Sequence, residues 1–196
     1  SPAIVRTAVP DESGNFSIDT AGLSAPFFLK AETASGAHYA IASTSGKTDV
    51  NPITTAACAG ASSDEDSEDG EEGWSGRDQR SSDKIEGILK ALREELKPLF
   101  DLYGIKRIGG DDDDHMGSNL RALLKDVSFE VKKGVVTVTN RATQAIIFTG
   151  PLRHLEDGTF YPENMPAGPG GSVPCTEFTY SDFAACQPDG TQARTV

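Results

Sequence analysis

The stretch Val127-Ser-Phe-Glu-Val-Lys-Lys-Gly-Val-Val-Thr-Val-Thr-Asn140 decides the fold class of this 196-residue chain. Apolar and polar residues alternate on both sides of Lys133-Gly134, which is the period that buries one face of a β-strand. A glycine in a two-residue connection favours the positive φ angles of a tight hairpin turn. We therefore predict an antiparallel hairpin here, and Ala145-Ile-Ile-Phe-Thr149 is predicted to add a third strand.

A helix is predicted over residues 83–103, ahead of this hairpin. Apolar side chains recur there every three or four residues, which is the spacing of one helical face. The sequence Ser82-Asp-Lys-Ile-Glu86 has the pattern of a capping box, and Gly104 can end the helix. We expect the apolar stripe to pack against the sheet; its members are Ile85, Ile88, Leu89, Leu92, Leu96, Leu99 and Tyr103.

Two further features shape the helical region. Pro98 has no backbone N–H, so we expect it to bend the last turn or to end the α-helix early. A second, shorter helix is predicted over Asn119–Asp126, with Ser118 as its N-cap.

The first sixty residues are predicted to form short strands, because apolar and polar residues alternate within each. Glu12-Ser-Gly-Asn15 has the composition of a turn. Four strands are few for a sandwich, which needs about seven, so either later strands complete this sheet or an edge stays open. An open edge offers unpaired N–H and C=O groups to a partner strand. The candidate strands are Ala3–Val9, Asn15–Asp19, Pro26–Ala31 and Ala37–Ala42.

Together these patterns predict an α+β fold. Its main part is an antiparallel, β-sandwich-like module on which the helix 83–103 packs, followed by a short second helix and an extended C-terminal tail. The predicted organisation is a β-domain (1–61), an acidic linker (62–82), a helical insertion (83–126), a hairpin segment that completes the sheet (127–165) and a tail (166–196).

The net charge of −12 argues against nucleic-acid binding, which needs clustered Lys and Arg. Much of the negative charge lies in two short runs, and such runs usually stay solvated because like charges repel. The alternative is a calcium site, since Ca²⁺ prefers clustered carboxylate oxygens. No other cofactor is expected, and no apolar run is long enough to cross a bilayer. The candidate calcium ligands are Asp64, Asp66, Asp111 and Asp113.

The sequence contains no convincing catalytic motif, so we predict that the protein is not an enzyme. Gly46-Lys47-Thr48 resembles the end of a phosphate-binding loop, but Ile41 occupies the position of the required first glycine. Pro52 also argues against the helix that should follow such a loop. The histidines are far apart and in no metal-ligand spacing: His38, His115 and His154.

The three cysteines are an odd number. Cys175 and Cys186 lie close together in a Pro- and Gly-rich tail and could pair in an oxidising compartment. We therefore predict a Cys175–Cys186 disulfide. Cys58 lies in a stretch of small residues and is predicted to be a buried, free thiol.

The segment from Ala8 to Ala57 resembles β-domains of bacterial secreted and surface-anchored proteins, of the carboxypeptidase-regulatory-like or Ig-like kind. The resemblance rests on Asp11-Glu-Ser-Gly-Asn-Phe-Ser17, Leu23-Ser-Ala-Pro-Phe-Phe-Leu-Lys30 and Tyr39-Ala-Ile-Ala42. The helix followed by the Val127 hairpin also looks like sequence that follows such domains. The resemblance implies an extracellular or cell-surface location.

The tail from Cys175 to Val196 looks like the beginning of a thrombospondin type 1 repeat. Tyr180, Phe183 and Cys186 keep the family's spacing of aromatic residues before a cysteine. The resemblance implies a cation–π stack in which Arg194 lies between the two rings. The family's second cysteine is missing here, and the alternative is a two-stranded tail closed by a disulfide.

These observations predict a non-enzymatic, extracellular structural or adhesive protein of the bacterial surface. One hypothesis is a homo-oligomer or polymer, a fibre subunit that assembles by β-strand addition. The alternatives are a monomeric calcium- or glycan-binding surface module and a hydrolase that uses dispersed residues. The candidate assembly strands are residues 3–9, with Ile4 and Val9, and residues 192–196, with Arg194 and Val196.

Overall fold

A computed structural model describes residues 4–12, 14–34, 36–62, 79–106 and 115–169. The chain forms both antiparallel sheets and helices, so the fold is α+β, as predicted. Two single 3-10 turns lie at Leu155–Asp157 and Pro162–Asn164. The regular elements are β1 (Phe27–Thr33), β2 (Gly36–Ala42), α1 (Pro52–Ser62), α2 (Gln79–Glu95), α3 (Lys97–Leu102), α4 (His115–Asp126), β3 (Val127–Lys132), β4 (Val135–Asn140), β5 (Ile146–Pro151) and β6 (Thr159–Phe160).

The predicted hairpin is confirmed as β3 and β4, paired antiparallel from Val127 opposite Asn140 to Lys132 opposite Val135. Lys133 and Gly134 both have positive φ angles, 49° and 73°, which is the conformation of a type I′ turn. The predicted third strand is β5, and β6 extends the sheet to the order β3-β4-β5-β6.

The predicted effect of Pro98 is also confirmed. The α2 helix ends at Glu95 and α3 begins at Lys97, so that Pro98 lies in a first turn, where a missing N–H costs no hydrogen bond. Gly104 ends α3 with φ +66°. The N–H groups of Ile105 and Gly104 donate to the carbonyl oxygens of Phe100 (2.9 Å) and Asp101 (3.0 Å), which is a Schellman cap.

The apolar stripe of the helical region lies in the core, as predicted. Leu92, Leu96 and Leu99 are fully buried against the four-stranded sheet, whose core face carries Val136 and Val138. Ile85 belongs to an adjoining cluster with Ala57 and Cys58, against which Tyr39 and Ile41 of β2 pack. Ile88 and Leu89 of α2 pack against both clusters, so the helices link the two sheets through two adjoining apolar clusters.

The helix α1 was not predicted. Asn51 caps it, because its Oδ1 accepts hydrogen bonds from the N–H groups of Ile53 (2.8 Å) and Thr54 (3.0 Å). Pro52 occupies the first helical position, which suits its fixed φ. The inference that Pro52 argues against a helix was therefore wrong. The phosphate-loop motif remains excluded because Ile41 replaces its first glycine.

Two predicted caps were wrong because the helices begin earlier. The α2 helix begins at Gln79, inside the predicted linker, so Ser82 is an internal residue. Its Oγ lies 3.0 Å from the Oγ of Ser43, which donates a 2.7 Å hydrogen bond to Glu86. These contacts tie the loop after β2 to α2. The α4 helix begins at His115, so Ser118 is inside the helix.

Two predicted strands are not formed either. Residues 4–9 and 15–19 have no strand pairing in the described structure, whereas the turn between them is present. The N–H of Asp11 donates to the carbonyl of Asn15 (2.8 Å), and the N–H of Asn15 donates to the Asp11 carboxylate (2.8 Å). Alternation alone did not make these residues strands, because a strand also needs a partner.

The predicted sandwich is not confirmed. The β1-β2 hairpin is a separate two-stranded sheet, and α1 packs against both β2 and β3. Of the predicted extended tail, residues 170–196 lie outside the described part of the chain.

The buried stripe predicts a large loss of stability in a Leu92→Ala variant. Removing this side chain leaves a cavity in the core, so the free energy of unfolding should fall by about 2–5 kcal/mol. Denaturant unfolding measures it. Lys90→Ala, on the exposed face of the same helix, is the control and should change stability by less than about 0.5 kcal/mol. Equal effects of the two changes would contradict this packing.

Candidate functional site

The outer edge of β2 is closed by α1. The N–H of Tyr39 donates a 2.9 Å hydrogen bond to the Thr55 hydroxyl, which itself donates to the carbonyl of Asn51 (2.7 Å). The Nδ1 of His38 lies 3.4 Å from the same hydroxyl. A side chain of α1 therefore occupies the position that a further strand beside β2 would need.

No described strand pairs with the outer edge of β1. Because the N–H of Tyr39 points away from β1, Tyr39 and its partner Lys30 form a pair that exchanges no backbone hydrogen bonds. The backbone N–H and C=O of Lys30 then point to the opposite side, as do those of Glu32 two residues on. Within the described ranges these groups have no backbone partner. We call these outward groups of Lys30 and Glu32 the β1 edge.

The two faces of β1 differ in character. Leu29 and Ala31 are half-buried on one face, while Lys30 and Glu32 are exposed on the other. Lys30 Nζ lies 2.7 Å from Glu32 Oε1. This hydrogen bond lowers the pKa of Glu32 and raises the pKa of Lys30. A strand that joined this edge would need apolar side chains on one face and a charge-compatible side chain on the other.

Several apolar side chains of residues 4–9 are exposed to solvent. Ile4, Val5 and Val9 are 67%, 80% and 92% exposed. Ile4 and Val9, two of the predicted assembly residues, are therefore accessible, although they are not in a strand.

Arg6 holds this segment to the turn at residues 19–21. Its Nη1 and Nη2 donate to the carbonyl oxygens of Asp19 (2.8 Å) and Ala21 (2.7 Å), and Nη1 lies 3.1 Å from the Asp19 carboxylate. The N–H of Ala21 donates to the same carboxylate (2.9 Å), which, with Arg6, lowers the pKa of Asp19. We call these contacts among Arg6, Asp19 and Ala21 the Arg6 anchor.

A shallow cleft of about 400 Å³ is lined by residues of α1, of α2 and of the segment 152–156. Its floor is apolar, with Ile88 and Leu152, and its charged lining residues are Lys84, Arg153 and Glu156. None of the described side chains that line it is a serine, cysteine or histidine. The described lining therefore contains no serine–histidine or cysteine–histidine pair.

Cys58 is buried in α1 and free of any disulfide, as predicted. Burial raises the pKa of its thiol to about 12. Because the thiolate is the reactive form, this shift disfavours nucleophilic chemistry at Cys58 at neutral pH.

The remaining predicted site residues lie outside the described residues, and their roles stay predictions. Among the described residues, no group of three or more His, Cys, Asp or Glu side chains is arranged to hold a metal ion. The residues outside are the candidate calcium ligands Asp64, Asp66, Asp111 and Asp113, the cysteines Cys175 and Cys186, and the tail residues Tyr180, Phe183, Arg194 and Val196.

The comparisons with known proteins found no similarity. No family model matches the chain, and neither a curated protein nor a solved structure matches it. In the described parts of the chain, none of the helices combines the length and the apolar character that a membrane span requires.

Sequence reasoning left an open sheet edge as one of two alternatives and did not give its position. That position depends on the contact between Thr55 and Tyr39, and hence on α1, whose small residues gave little periodic signal. The Arg6 anchor was also missed, because nothing local links residue 6 to residues 19–21 in the sequence.

Because the Cys58 thiol is buried, we expect the free energy of unfolding to decrease at alkaline pH. The unfolded chain loses this proton near its ordinary pKa of roughly 8.5. The folded chain keeps the proton until about pH 12. The free energy of unfolding should therefore fall through this window as pH rises, by up to about 1.4 kcal/mol per pH unit.

Urea unfolding of the unmodified chain and of Cys58→Ala at several pH values measures this effect. The difference between the two curves isolates the thiol, because all other titrating groups are common to both. A difference that stays constant from neutral pH to about pH 10 would contradict the assignment.

Proposed function

We propose that this chain is a non-enzymatic structural or adhesive protein of the bacterial exterior, whose copies join by strand addition at the β1 edge. The observation that carries the proposal is the direction of the Lys30 and Glu32 backbone groups, which point away from β2 and lack a backbone partner in the described chain. In strand addition such groups supply affinity through main-chain hydrogen bonds, and side-chain alternation supplies specificity.

The small size of the β1-β2 sheet supports this proposal. A two-stranded hairpin is marginally stable by itself, and three strands with an apolar face are needed for independent stability. Docking of β2 on α1 stabilises one side of the hairpin. A third strand beside β1 would extend the half-buried face that carries Leu29 and Ala31. The hairpin therefore gains both hydrogen bonds and apolar burial from a partner.

Two segments of the chain are candidates for the added strand, residues 3–9 and residues 192–196. The first has exposed apolar side chains, among them Ile4 and Val9. Either segment would join a surface that is different from itself, which is a heterologous contact. Such contacts form fibres when the rotation between subunits does not close a ring.

The location outside the cell is part of the proposal. It is supported by the resemblance of the segment from Ala8 to Ala57 to secreted β-domains. The predicted Cys175–Cys186 disulfide would be maintained at such a location, because such bonds persist in oxidising compartments.

The proposal predicts that Lys30→Pro prevents assembly. Proline at this position removes the outward N–H and places a ring at the β1 edge, while the bonds between β1 and β2 are retained. Sedimentation velocity and electron microscopy of the purified chain should show polymers for the unmodified protein and monomers for the variant.

Lys30→Ala is the matched comparison, because it shortens the same side chain and keeps the N–H. It should assemble more readily than Lys30→Pro at equal melting temperature. If the unmodified chain sediments as a monomer at every concentration and salt condition, strand addition is wrong and the calcium- or glycan-binding module is the remaining hypothesis.

A further inference from the structure

We infer that the added strand is residues 5–9 of a second copy of this chain, paired antiparallel with β1 so that Arg6 lies opposite Glu32. This inference rests on the proposed function and names its partner, its register and the contact that opposes assembly.

The alternation of residues 5–9 matches the two faces of β1. In an extended segment Val5, Thr7 and Val9 share one face, and Arg6 and Ala8 share the other. In this pairing the valine side chains would lie on the same face of the sheet as the half-buried side chains of β1, where burial of apolar groups is favourable. The other face would lie over the exposed, charged side, which suits an arginine.

The backbone of this pairing satisfies the β1 edge. With Arg6 opposite Glu32, Ala8 lies opposite Lys30. Each of these pairs can then exchange two hydrogen bonds, because the Lys30 and Glu32 groups point outward. Pro10 follows at once and has no N–H to donate, so the ladder ends there.

Neighbouring registers are less favourable. A shift of one residue moves the valines to the charged face and Arg6 to the apolar face. A shift of two residues in one direction places Arg6 directly opposite Lys30, and like charges opposite each other destabilise a strand pair. The same shift in the other direction places Pro10 opposite Lys30, where a donor is needed.

The Arg6 anchor opposes this pairing. In the single chain the Arg6 guanidinium contacts Asp19 and Ala21 while the apolar side chains beside it stay exposed. Assembly would exchange Asp19 for Glu32 of the second copy. In the single chain residues 5–9 pair with no described strand, and pairing with a second copy requires Arg6 to leave the anchor. The anchor therefore lowers the tendency of the chain to polymerise.

A charge exchange between two variants tests the register. Arg6→Glu and Glu32→Arg each place like charges opposite one another, and Glu32→Arg should raise the concentration at which polymers form by about tenfold. Arg6→Glu also removes the Arg6 anchor, so its rise should be smaller, about threefold. An equimolar mixture restores opposite charges at every contact, since the donor of one variant meets the acceptor of the other. The mixture should therefore polymerise near the concentration of the unmodified chain.

Asp19→Asn tests the Arg6 anchor. The asparagine oxygen can still accept the N–H of Ala21, but the ion pair with Arg6 is lost. The concentration needed for polymers should fall about threefold, as for loss of an exposed ion pair. A rise or no change would overturn the opposing role of the anchor. Melting temperatures of all variants establish that each is folded.

The outcomes separate this inference from the proposed function. Polymers of the unmodified chain, blocked by Lys30→Pro but not restored by the mixture, would overturn the register and leave strand addition intact. A monomer at all concentrations would overturn the proposed function. A monomer in which hydrogen exchange protects the amides of residues 6 and 8 would show that the segment pairs with its own β1, and this would overturn the role of the second copy.

Discussion

The hydrogen bond from the Tyr39 N–H to the Thr55 hydroxyl is the contact on which the arrangement of the hairpin depends. It holds β2 against α1 and, with the pairing of Tyr39 and Lys30, identifies the backbone groups of β1 that point outward. Asn51 positions Thr55 for this contact, because the Asn51 carbonyl accepts hydrogen bonds from both the N–H and the hydroxyl of Thr55. The Nδ2 of Asn51 is buried without a partner among the described residues, and such a group costs about 1–3 kcal/mol.

Elements with strong local patterns could be predicted from the sequence. The hairpin at residues 127–140 has a clear period of two and a glycine where the turn needs one. The stripe from Ile85 to Tyr103 has a clear helical period, and Pro98 interrupts it where expected. In these stretches local preference and tertiary packing favour the same structure.

Elements that depend on distant partners could not be predicted. The α1 helix is buried on several sides, with Ile53, Ala57 and Gly60 all inaccessible, so one apolar face does not stand out. Residues 4–9 alternate as a strand does, yet the described chain provides no strand beside them. Of the candidate site, the sequence left an open edge as one alternative and gave residues 3–9 as a candidate assembly strand. The exposure of Ile4 and Val9 and the outward direction of the Lys30 backbone N–H and C=O come from the structure.

The burial of Cys58 limits the reaction of this unpaired thiol with disulfides. Thiol–disulfide exchange requires a thiolate, and burial raises the pKa of the Cys58 thiol far above neutral pH, so the thiolate is scarce there. Attack on any disulfide would therefore wait until α1 separates from α2 and exposes the sulfur. Packing in this part of the core protects the chain against mispaired cross-links, without any chemical modification of the cysteine.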